Sequence, residues 1–235
     1  MYLSLLLLGF LIGIRHAVEA DHIAAVASLS ARTDGIRGTI WQGVAWGLGH
    51  TITLFVFGSI ALLVDSIIPG PFAAALEFAV GIMLIFLGFD VLLRLYRKRI
   101  HFHVHEHQGG VQHLHAHSHE NDVPHRRSPH LHNHKRGFPK RALMVGLMHG
   151  MAGSAALIIL TLQTVNSPLL GLAYMACFGI GSIAGMALLS AIIAVPLWYS
   201  ANRHTLLFNG LSIAVALITV GIGTTMVVTY LQTSF

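Results

Sequence analysis

Apolar residues run in stretches of about 20 or more, the length a helix needs to cross a bilayer. Six such stretches recur, at 2–29, 39–64, 71–96, 141–165, 169–198 and 205–231. The first is long and interrupted, because Arg15, His16, Glu19, Asp21 and His22 crowd into eight of its residues. Between the third and fourth stretches the pattern breaks down into a polar segment. The pattern predicts an all-α polytopic membrane protein of six transmembrane helices, the first interrupted at the polar cluster. Residues 1–97 form a first three-helix unit, 98–140 a flexible loop, and 141–235 a second three-helix unit.

The two units repeat one another. Gly13-Ile-Arg-His16 echoes Gly146-Leu-Met-His149, and Gly47-Leu-Gly-His50 echoes Gly179-Ile-Gly-Ser182. Residues 81–88 echo 214–221 in the third helix of each unit. The offset stays at 133, 132 and 133 residues. Three spans per unit is an odd number, so the second copy inserts upside down. Inverted repeats of this kind characterise secondary transporters, whose sites lie at the repeat interface near the membrane midplane.

Composition agrees with a membrane protein: 54% of the 235 residues are hydrophobic and 10% charged. Ten of the 14 Lys and Arg lie between Arg94 and Arg141, a cytoplasmic loop by the positive-inside rule rather than a nucleic-acid surface. Arg32, Arg37 and Arg203 precede the second and sixth spans, whereas the 64–71 and 165–169 connections carry no Lys or Arg. Both termini are therefore expected outside a cell (inner) membrane, with the 98–140 loop in the cytoplasm. The N-terminal stretch has no basic region and no obvious cleavage site, so 1–14 reads as the start of a retained helix. Cys177 is the only cysteine, which rules out an intramolecular disulfide and a Cys-rich metal site.

A charge near the bilayer centre costs about 2.5–3.5 kcal/mol on insertion scales, so the first cluster reads as functional. His16, Asp21 and His22 are an N/O donor set for a borderline divalent cation. On an unbroken helix His16 would point about 120° from His22 and about 140° from Asp21. Either the helix unwinds there or other helices complete the site. His50 and His149 lie within later spans, each among glycines that allow close helix approach. These five residues are the expected metal ligands. Arg15 and Glu19, four apart, are expected to pair beside them, and Thr51 and Ser154 to support them from within the second and third motifs.

Residues 101–134 hold 12 of the 17 histidines: His101, His103, His105, His107, His113, His115, His117, His119, His125, His130, His132 and His134. Such tracts bind divalent metals with modest specificity. With Gly109-Gly110 and Pro124, Pro129 and Pro139 nearby, the segment reads as a flexible auxiliary metal-binding loop. Asp90 and Arg94, four apart, read as a structural pair.

Arg15-His-Ala-Val-Glu-Ala-Asp-His-Ile23 resembles the His-x4-Asp-His signature of the nickel/cobalt transporter family. Gly47-Leu-Gly-His-Thr51 is similar to that family's Leu-Gly-His-Ser/Thr segment. Gly146-Leu-Met-His-Gly-Met-Ala-Gly-Ser-Ala155 resembles its short six-helix branch, which includes urease-accessory nickel permeases. The resemblance implies metal selection and transport by His16, Asp21 and His22, with His50 and His149 matched more weakly. Larger family members carry an acidic Gly-Phe-Asp-Thr-Ala-Thr-Glu motif. Here Leu87-Gly-Phe-Asp90 continues differently, and Asp90 inherits no role.

The chain is therefore expected to be a permease for Ni²⁺, with Co²⁺ as second candidate, importing the ion through the His/Asp site. The ion is substrate rather than cofactor, no cofactor is expected, and the protein is not an enzyme. The expected partners are the metal ion, the lipid bilayer and cytoplasmic nickel chaperones, without nucleic acid. There is no Walker-type nucleotide motif. Three rivals stand beside uptake: efflux of the same metals, a non-transporting membrane metallochaperone, and an intramembrane metalloenzyme. The last would want His-Glu-x-x-His, which the chain lacks.

Overall fold

The structure is a computed structural model that describes residues 2–31, 35–64, 70–97, 101–106, 112–117, 139–164, 167–203 and 205–234. For the two strands, for 153–164 and for a few helix-end residues, it describes the backbone alone. Among the described residues seven helices follow in order: α1 (Tyr2–His16), α2 (Ala20–Ser30), α3 (Ile36–Val64), α4 (Gly70–Arg97), α5 (Lys140–Thr164), α6 (Pro168–Arg203) and α7 (Thr205–Ser234). Among the described residues α3, α4, α6 and α7 are each long and apolar enough to cross a membrane. The α1–α2 pair, bent by 59° at its break, makes a fifth candidate span.

The break falls inside the polar cluster. Helix α1 ends at His16 with Val18 and Glu19 donating their N–H groups three residues back, to the carbonyls of Arg15 and His16. Glu19 is extended (φ −67°, ψ 151°), and α2 starts at Ala20. Asp21 thereby lands in the first turn of α2, where the positive end of the helix dipole favours a carboxylate.

Helix α2 is the buried centre of the bundle, with Ala24 through Ser30 all buried. Its Ala24, Ala25, Val26 and Leu29 join Trp46, Leu84, Leu87 and Met186 in one apolar core. Leu54, Tyr174, Met175 and Phe178 form a second, smaller apolar cluster. Ser28 Oγ and Thr219 Oγ1, 2.9 Å apart, tie α2 to α7 in the interior.

Glycines set the closest helix crossings. A Cβ on Gly13 would collide with the Phe178 carbonyl, and one on Gly146 with the Trp46 carbonyl. Gly181 and Gly49 abut the backbone of Phe10 and Leu143 in the same way. Such small-residue contacts let membrane helices approach backbone to backbone. Helix α1 therefore packs on α6, α5 on α3, α3 on α6 and α4 on α7.

Between α4 and α5 the sequence reading expected a flexible loop. Within it the described backbone pairs β1 (His101–Glu106) antiparallel with β2 (Gln112–His117). His101 stands opposite His117, His103 opposite His115, and His105 opposite His113. The strict period-two alternation of these runs is a strand signal. His107, His119, His125, His130, His132 and His134 lie outside the described residues.

Candidate metal centre

The break in the first span resolves the spacing problem. His16 closes α1, while Asp21 and His22 open α2, so the three no longer share a helix axis. His50 comes from the middle of α3 and His149 from α5. His22, His50 and His149 are each 0–1% exposed. The His22 ring centroid lies 4.4 Å from that of His16, 5.2 Å from that of His50 and 4.3 Å from that of His149.

Two triads share His22. Ligand atoms of His16, His22 and His50 lie within 4.8 Å of one another, and so do those of Asp21, His22 and His149. His16 Nε2 is 3.2 Å from His50 Nε2, and His149 Nε2 is 3.1 Å from Asp21 Oδ2. Two ligands about 2.0–2.1 Å from one ion, subtending 90–110°, stand about 2.9–3.4 Å apart. Both pairs already hold that separation.

Carboxylates stand behind the rings. His16 Nδ1 donates to Glu19 Oε1 at 2.9 Å, and His22 Nδ1 to Asp21 Oδ1 at 2.9 Å. The His22 backbone N–H also reaches Asp21 Oδ1 at 2.9 Å. His22 Nε2, His50 Nδ1 and His149 Nδ1 are buried with no hydrogen-bond partner among the described residues. Assigning tautomers from this network leaves His22 with its proton on Nδ1 and a bare lone pair on Nε2. A carboxylate on one ring nitrogen and a free lone pair on the other is the arrangement of a metal-ligating histidine.

Two aromatic rings flank the cluster. Phe178 of α6 lies 5.3 Å from His16, and Trp46 of α3 lies 5.3 Å from His22 and 5.5 Å from His149. The sequence reading did not single out either. Trp46 stands one turn before His50, the spacing that could have flagged it. Phe178 had no comparable signal.

The structure brings together all five expected ligands. Glu19 turns to His16 rather than to its expected partner Arg15, which is exposed. The i, i+4 geometry ends with α1, and the extended backbone of Glu19 brings its carboxylate back over the last turn. Thr51 Oγ1 donates to the Gly179 carbonyl at 3.2 Å, tying α3 to α6 one residue past His50. The Ser154 side chain lies outside what is described. Asp90 meets Arg94 at 3.5 Å and also Arg141 at 3.4 Å, joining α4 to the start of α5 away from the cluster.

The chain is 35% identical over 202 residues to the urease accessory protein UreH of Bacillus sp. (strain TB-90), which covers 86% of this chain and 81% of that one. No solved structure matches it. Residues 2–234 match the NicO family, described as high-affinity nickel-transport protein. A donor set of imidazoles and a carboxylate inside an apolar bundle fits that match, and the chain belongs to the NicO family of membrane nickel transporters.

Proposed function

We propose that the chain carries Ni²⁺ into the cell through the histidine cluster, with Co²⁺ as a second substrate. The observation that carries this reading is the meeting of four imidazoles and Asp21, from α1, α2, α3 and α5, in the middle of an apolar bundle. His16, His22 and His50 hold the ion through Nε2. Asp21 and His149 form the adjoining half of the site, with His22 common to both. Neutral imidazoles bind the ion, and protonation weakens their hold.

The proposal includes six spans in two inverted repeats, with α5 as the fourth span. The close helix crossings support this, because they occur in pairs that exchange under the sequence offset. Gly13 on Phe178 becomes Gly146 on Trp46 when 133 is added to the first residue and 132 subtracted from the second. Gly49 on Leu143 becomes Gly181 on Phe10 by the same shifts, reversed. Rocking of one repeat against the other then exposes the site to each side in turn.

Loops 1, 3 and 5 lie in the cytoplasm in this reading and both termini outside, as the positions of Arg37, Arg94, Arg97, Lys140, Arg141 and Arg203 favour. A divalent ion moving inward gains about 4.6 kcal/mol per 100 mV of membrane potential, enough to drive uptake without a nucleotide. The histidine hairpin receives the ion on the cytoplasmic side and passes it to nickel chaperones. The test is metal content of cells overproducing the chain in nickel-containing medium. Uptake predicts a rise above cells carrying His22→Ala; a fall in cellular nickel overturns the inward direction and assigns efflux.

A further inference from the structure

A second group of polar atoms lies outside the histidine cluster. Val26, Leu29, Ser30, Gln42, Gly43, Trp46 and Ser190 line a constriction between α2, α3 and α6 that is too tight here to admit a water. Three of its lining residues carry a polar atom that is buried without a hydrogen-bond partner among the described residues: Gln42 Oε1, Trp46 Nε1 and Ser190 Oγ. Trp46 is 0% and Ser190 1% exposed. A buried polar atom without a partner is destabilising, so three around one constriction call for an explanation.

The constriction lies in line with the metal cluster. On α3 His50, Trp46 and Gln42 follow at four-residue steps, each about 6 Å along the axis. On α2 Ser30 lies eight residues, or about 12 Å, past His22. Helix α6 runs antiparallel to α3: Thr51 bonds Gly179, Gly47 abuts Ile183, and Gly43 abuts Ser190. All three helices thus lead from the cluster, past the Trp46 ring, to the face where α2 ends, α3 begins and α6 ends. That face carries Arg37 and Arg203.

The opposite side is built differently. The 132-residue offset carries Trp46, Gln42 and Gly43 onto Phe178, Tyr174 and Met175. Those residues pack with Leu54 as an apolar cluster. Two aromatic residues in equivalent places therefore cap the histidines, one backed by hydrocarbon and the other by polar atoms.

We propose that the polar constriction beyond Trp46 is a transit site for the partly hydrated divalent cation, lined by Ser30, Gln42 and Ser190 and gated by the Trp46 ring. The proposal rests on the histidine cluster being the ion's binding site. Gln42 and Ser190 offer neutral oxygens, which hold a borderline cation weakly and release it quickly, as a conduction path requires. The Trp46 N–H can only donate, so it meets a water of the ion's shell and not the ion itself. The strong site keeps selectivity, and the weak one lets the ion leave.

The test is cysteine accessibility in proteoliposomes holding the full chain. In a Cys177→Ala background, Ser190→Cys is nearly isosteric and folds before any perturbation is applied. A cationic, membrane-impermeant methanethiosulfonate is added under a nickel gradient. The proposal expects labelling from the Arg37/Arg203 face only, a tenfold or greater loss of nickel flux after labelling, and nickel binding by the labelled protein within threefold of the unlabelled. Ser30→Cys behaves alike. Leu188→Cys, on the outer surface of α6 at 58% exposure, stays unlabelled and transports normally. An unlabelled Ser190→Cys, or a labelled one with undiminished flux, overturns the transit site and leaves the polar atoms as packing alone. A failure of the histidine reading shows separately, as unchanged nickel flux in His22→Ala.

Discussion

Asp21→Asn is the most instructive single change. The carboxylate takes His22 Nδ1 at one oxygen and His149 Nε2 at the other, at 2.9 and 3.1 Å. Asparagine keeps the shape, so the α1–α2 break and the packing of α2 are retained. It removes the charge, and its amide nitrogen turns a donor toward one of the two rings. A hydrogen bond to a charged group contributes about 1.5–3 kcal/mol and a neutral one about 0.5–1.5 kcal/mol. Weakening both bonds costs roughly 2–3 kcal/mol of ion binding, and at 1.4 kcal/mol per decade this is a roughly 30- to 150-fold rise in nickel Kd. The loss of one supporting carboxylate in known metal sites, about 10- to 100-fold, agrees. Equilibrium dialysis of the purified chain against radioactive nickel measures it directly, with circular dichroism to show that the helices persist. A Kd within threefold of the unaltered chain would refute the reasoning, since it would mean that Asp21 neither holds the ion nor orients the rings that do.

His22 belongs to both triads, so His22→Ala should lower nickel affinity further than His16→Ala or His149→Ala, and the His16/His149 double variant should approach it; dialysis of the four proteins checks this. Gly13→Ala would bring a methyl to 2.9 Å of the Ser182 backbone nitrogen and against the Phe178 carbonyl. Pushing α1 off α6 costs about 1–3 kcal/mol as overpacking and displaces His16 three residues on; the expected outcome is a lower midpoint in thermal unfolding together with at least tenfold lower nickel flux. Removing residues 101–134 should leave flux in vesicles within a few-fold while lowering the number of nickel ions bound per chain; complete loss of flux would move the transport function into the hairpin.

The residues of the candidate site were more legible in the sequence than their arrangement. Five ionisable residues in hydrocarbon mark a site whatever the fold, because nothing else offsets their insertion cost. The angular mismatch between His16 and Asp21 called for either a break or help from other helices, and both occur: α1 ends at His16, and His50 and His149 come from α3 and α5. What the break would do to Glu19 was not legible, because its pairing depends on an extended φ/ψ that no side-chain spacing encodes. Trp46 and Phe178 escaped notice for a different reason. Membrane helices are apolar on every side, so one aromatic ring among many carries no signal of facing inward. The pairing of β1 with β2 was not anticipated, because Gly, Pro and His content spoke for a loop while the alternation spoke for strands.

The central claim is that polar side chains are kept inside this bundle because a cation crosses there. Nickel influx into sealed proteoliposomes, with the intact chain compared with His22→Ala and with empty vesicles, tests it most directly. The account predicts a saturable flux for the intact chain and a rate for His22→Ala that falls to that of empty vesicles. Vesicles with the intact chain that stay impermeable to nickel and cobalt under any gradient, or a His22→Ala rate equal to the intact one, would contradict it.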